Sequence, residues 1–116
     1  SLYNTKDIER TWENIVCIEL ISRGYEVKIG KVKDKEIDFI AKKGKELSYY
    51  QISYIMGDEK TREREFSVYK SVTDNFPKYV LSMDHFDFSQ DGIIHKNIID
   101  FLLEDEGIKW KILKQY

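Results

Sequence analysis

From Thr5 onward, apolar residues recur at helical spacing. Ile8, Trp12, Ile15, Val16 and Leu20 fall on one side of a helix that Asn4 or Thr5 can cap and Gly24 can stop. After Gly24 the period changes. Alternating apolar and polar positions predict strands at 25–32, 36–41 and 46–55, joined by turns at Lys33-Asp34 and at Lys42-Lys43-Gly44-Lys45. Asp58 can cap a second helix running to about residue 73, with Phe66, Tyr69 and Val72 facing inward. A fourth strand follows at 78–83, a turn at Asp91-Gly92 and a short fifth strand at 93–95. Asn97 caps a third helix that passes Leu103 and ends at Gly107, before an amphipathic tail, IKWKILKQY.

This order predicts an α/β fold: a mixed four- or five-stranded sheet flanked by helices, with an αβββαβ core. The first three strands form an antiparallel meander. The fourth follows a crossover helix and so adds in parallel. Trp12, Ile15, Phe39, Ile52, Phe66, Tyr69, Val80 and Leu102 are the expected core. A four-residue loop at 42–45 would pair Ala41 with Glu46, Asp38 with Tyr49 and Glu36 with Gln51. Strand alternation then puts Glu36, Asp38, Tyr49, Gln51 and Ser53 on one polar face. Ile37, Phe39, Ala41, Tyr50 and Ile52 take the other. A single bulge would redistribute them. Glu13, beside Trp12 on the first helix, is placed to lean over the polar face.

Composition narrows the function classes. At 116 residues the chain is expected to form one domain, 1–116, and 41% hydrophobic residues suffice for a core. The net charge of -2 lacks the basic footprint of a protein that holds nucleic acid mainly by charge. Cys17 is the sole cysteine, which excludes an internal disulfide and suits a reducing cytoplasm. No apolar run approaches the roughly 20 residues of a membrane span, so no membrane partner is expected. The start at Ser1 suggests a piece of a longer protein. There is no phosphate-cradling GxxxxGK[ST] or GxGxxG loop, so this stretch carries no nucleotide-hydrolysing machinery of that type.

Several features have plain readings. The lysine-rich turns suit solubility and edge protection, and the alternating charges of EKTRERE suit a solvated helix face. His85 and His95 lack metal-ligand spacing, and Cys17 reads as a small core residue.

Six stretches together carry a family resemblance: WENIVCIELISRGYEV, KEIDFIA, YYQISY, DEKTREREF, PKYVLSMD and HKNIIDFLL. From about Glu9 to Leu103 the chain resembles the C-terminal domain of archaeal and bacterial AAA+ type ATPases. That domain is largely of unknown function and belongs to the restriction-endonuclease-like PD-(D/E)xK superfamily. The resemblance implies a metal-dependent phosphodiesterase ancestry, with magnesium on hard oxygen ligands activating water. It assigns Glu13 the helix carboxylate, Asp38 the strand carboxylate, Gln51 the second carboxylate position and Ser53 the lysine position. The Ile52 carbonyl is the implied backbone ligand. Gln51 keeps an oxygen but loses a charge. Ser53 removes the cation nearest the scissile phosphate, a loss of about a hundredfold to a thousandfold in rate, unless Lys28, Lys35, Arg62 or Arg64 replaces it. The expectation is an accessory domain that binds or positions a DNA, RNA or protein partner for the ATPase portion of the same parent protein, with degenerate chemistry. The alternative is a magnesium-dependent nuclease with a Glu/Asp/Gln-x-Ser site.

Overall fold

A computed structural model describes residues 4–104. Helix α1 (Thr5–Ser22) begins with a reciprocal cap: the Asn4 side chain accepts from the Asp7 N–H while the Asp7 carboxylate accepts from the Asn4 N–H. It ends where Gly24 adopts φ +95°. That left-handed turn sends the Gly24 N–H to the Ile21 carbonyl and the Tyr25 N–H to the Leu20 carbonyl, satisfying the helix's last acceptors. Strands β1 (Glu26–Val32), β2 (Lys35–Lys43) and β3 (Glu46–Ile52) follow. Helix α2 (Glu59–Ser67) runs into a short 3-10 turn (Val68–Ser71), then come β4 (Lys78–Ser82), β5 (Ile94–Asn97) and α3 (Ile98–Leu103). Asn97 caps α3 by accepting from the Asp100 N–H. Gly107 and the tail lie outside the described residues.

The five strands form one sheet in the order β1-β2-β3-β4-β5. The first two pairings are antiparallel and the last two parallel; β3 reaches β4 by the crossover through α2, and β4 reaches β5 through the loop at 83–93. Helices α1 and α3 cover one face, over Ala41, Tyr50, Ile52 and Leu81. The other face, with Ile37, Tyr49 and Val80, carries Phe66, Val68 and Tyr69 from α2 and its 3-10 extension. Strand β3 is the centre, and Ser48 through Ile52 are all buried. Among the expected core residues, Ile52, Phe66, Tyr69 and Val80 are buried, whereas Trp12, Ile15, Phe39 and Leu102 are half-buried.

Three expectations need correction. The second helix stops at Ser67 rather than near residue 73. The tighter 3-10 turn lets Tyr69 pack on the sheet and donate its hydroxyl to the Tyr79 carbonyl at 2.7 Å. The third strand stops at Ile52, because Tyr54 and Met56 bond instead to Met83 and Asp84. The β2–β3 loop is two residues long, not four: Gly44, at φ +61°, reverses the chain at once, so Lys43 pairs with Glu46 and Ala41 with Ser48. A slip of two residues preserves the faces but changes the partners.

Candidate functional site

The bulge foreseen as a complication exists, and it lies at Asp38. Lys28 pairs with Ile40 and Gly30 with Ile37, so Ile29 alone faces both Asp38 and Phe39. The extra residue moves Ile37 to the α2 face, away from Phe39 and Ala41, where the regular alternation had put it. Bulges of this kind re-aim a side chain.

Here the side chain is re-aimed between two strands. The β2–β3 ladder ends at Phe39–Tyr50. Beyond it, side chains take over the pairing. Asp38 Oδ2 accepts the Ile52 N–H at 2.8 Å. Gln51 Oε1 accepts the Asp38 N–H at 3.0 Å. The Gln51 amide then donates to Glu65 Oε2, on α2, at 2.9 Å. Gln51 and Glu65 are both buried. One amide thus ties β2, β3 and α2 together, and both ends of its dipole are used.

Carboxylates crowd this knot. Burial is the main cause that raises Asp38 to about 6. The Ile52 N–H opposes that shift, while the charges of Glu13, Glu9 and Glu36 add to it. Glu13, half-buried on α1, is raised by burial first, then by Glu9, with Arg10 opposing and Glu65 adding. Glu65 is raised by burial, against its bond from Gln51, with Asp38 and Glu9 adding. Mutual repulsion in a partly desolvated space favours the protonated forms.

The fold therefore brings Glu13, Asp38 and Gln51 into one neighbourhood, with Glu9 and Glu65 as further members. Glu65 escapes the sequence pattern, in which the alternating charges of EKTRERE suit a solvated helix face. Its signal is present: Arg62, Glu65, Phe66 and Tyr69 stand at i, i+3, i+4 and i+7, the inward stripe of α2 and its 3-10 extension. Ser53 is completely buried, donates its N–H to the Leu81 carbonyl, and its hydroxyl finds no hydrogen-bond partner among the described residues. Of the cations that might replace a motif lysine, Arg64 approaches Glu65 at 3.7 Å. Arg62 is held by the Met56 and Gly57 carbonyls, and Lys28 pairs with Glu26.

Magnesium fits this donor set poorly. Asp38 Oδ2 and Gln51 Oε1 already accept backbone N–H groups. Asp38 engages the N–H of Ile52, the residue whose carbonyl was the implied ligand. Among the described residues, no three His, Cys, Asp or Glu side chains are grouped to hold a metal ion. A groove of about 820 Å³ lies elsewhere, lined by α2, residues 74–78 and residues 90–94, and includes none of these groups. Among the described residues, no helix is long and apolar enough to cross a membrane.

No protein-family model matches the chain. The chain is 39% identical over 93 residues to an uncharacterized protein of Haemophilus influenzae. The match covers 79% of this chain and 22% of that relative, so the chain spans about a fifth of the relative's length and resembles one segment of a longer protein.

Proposed function

We propose that this chain is an accessory domain of restriction-endonuclease-like fold. It binds or positions a nucleic-acid or protein partner for a AAA+ type ATPase portion of the same parent protein, in a cytoplasmic setting. Its ancestral phosphodiesterase site is closed. One observation carries the reading: the Asp38–Gln51–Glu65 knot commits Asp38 Oδ2, Gln51 Oε1 and Glu65 Oε2 to hydrogen bonds within the fold. The buried Ser53 hydroxyl, in the position where the superfamily's pattern has a lysine, agrees with it. The second reading, a magnesium-dependent nuclease, draws on the raised carboxylates of Glu13, Asp38 and Glu65, whose repulsion a cation would relieve.

Calorimetric titration with magnesium and manganese separates the two, run beside cleavage assays on single-stranded, double-stranded and branched DNA and on RNA. The closed-site reading expects no metal heat at millimolar concentration and no cleavage. Metal-dependent cleavage by the wild type that Asp38→Asn abolishes would replace it with the nuclease reading.

A further inference from the structure

A second buried polar system gathers around β4 and β5, apart from the carboxylate knot. Its hub is His95, which is buried. The ring's Nδ1 accepts the Phe88 backbone N–H at 3.1 Å, so that nitrogen carries no proton. The ring's one proton is then on Nε2, which lies 2.7 Å from Ser82 Oγ and donates to it. Ser82 Oγ passes its own proton toward Asp84 Oδ2 at 2.7 Å, and Asp84 Oδ2 also accepts the Met56 N–H at 2.7 Å. The direction of this relay excludes His95 as a base for Ser82, because its Nε2 is a donor.

The same residue secures its own strand's edge. The His95 backbone N–H donates to Ser89 Oγ at 2.8 Å, and Ser89 in turn bonds Asp87. Phe88 lies between the His95 ring, 5.5 Å away, and the Arg62 guanidinium, 4.6 Å away. Phe86 sits 5.0 Å from Phe88 and is 71% exposed. Arg62 also bonds the Met56 and Gly57 carbonyls at the entrance to α2.

We propose that His95 is a proton-operated clasp on residues 84–89: neutral, it holds the Phe88 backbone through Nδ1, and a second proton there releases Phe88. Protonation turns the 3.1 Å contact with the Phe88 N–H into one between two donors, which cannot hold. The groups that govern the proton are identifiable. Burial is the main force holding the ring neutral, while Asp84, Asp87 and a backbone hydrogen bond to Phe86 favour the charged form. On the α2 side the facing charge is Arg62, stacked beyond Phe88. From β4 the facing group is the uncharged Ser82. His85 is exposed on the segment itself.

The test is an NMR titration of the 116-residue chain from pH 7.5 to 4.5, following the His95 ring signals and the exchange protection of the Phe88 amide. Protection at Phe88 is expected to fall in step with His95 protonation, by about tenfold per pH unit below its titration point, while the Val16 amide in α1 stays protected. His95→Asn, whose Oδ1 offers an acceptor near the position of Nδ1 without a titrating group, should remove the pH dependence. The clasp is refuted if Phe88 stays protected after His95 is charged, or if His95 remains neutral until the whole chain unfolds. The wild-type titration decides this even if the variant does not fold.

Discussion

Gly30 lies beside the bulge that aims Asp38, and replacing it by alanine tests the bulge directly. A Cβ at Gly30 would come within 2.7 Å of Ile40 Cδ1 and Cγ1 and 3.1 Å of Ile37 Cβ. The Ile40 side chain can turn away, but Ile37 Cβ is fixed to the strand. Gly30 does not hold a left-handed conformation, so the cost is one of packing, not of backbone strain. Overpacking of this kind costs about 1–3 kcal/mol. The stiffer unfolded chain of the alanine variant returns about 0.4–1 kcal/mol. A net loss of about 1–2 kcal/mol is therefore expected. Gly57→Ala is the control, because a Cβ there meets nothing within 4 Å. Urea denaturation of the two variants and wild type, at matched m-values, measures the difference. A Gly30→Ala midpoint equal to that of Gly57→Ala or of wild type would refute the tight β1–β2 contact. Loss of exchange protection at the Ile52 amide in Gly30→Ala would further show that the contact holds Asp38 in place.

The remaining predictions concern the knot and the core. Gln51→Glu places a carboxylate 2.9 Å from Glu65 Oε2 where an amide donated; a loss of about 1–3 kcal/mol at pH 7, smaller at pH 5, is expected in urea denaturation, and unchanged stability would count against the knot. Asp38 holds its proton more tightly folded than unfolded, with a folded value of about 6 against 3.8. Its contribution to stability is therefore complete below about pH 3.8 and is lost as the pH rises through about 6. Between pH 5 and pH 7 wild type should lose about 1 kcal/mol relative to Asp38→Asn, the comparison cancelling the opposite drift from His95; parallel denaturation curves at the two pH values check it. Phe66→Ala, in the core between α2 and the sheet, should cost about 3–5 kcal/mol, and a loss under 1 kcal/mol would contradict that packing.

Local signals in the sequence determined the order of elements and most of their ends. Asn4, Gly24 and Asn97 cap or stop helices through bonds made within a few residues, so they act the same way in any fold. The antiparallel meander followed from short turns, and the parallel addition of β4 from the length of the crossover. Strand parity sufficed to group Asp38 with Gln51, because a two-residue error in the turn left the faces unchanged. Only the tertiary structure decided the rest. The bulge opposite Ile29 depends on how β1 and β2 share register, which no single strand encodes. Glu65 joins the site because α2 packs across β3 and turns that stripe inward. The proton on His95 Nε2 is fixed by the Phe88 N–H, which the fold brings to its other nitrogen. In each case the deciding partner is distant in sequence or belongs to another element, and its contribution exists only once the sheet has closed around it.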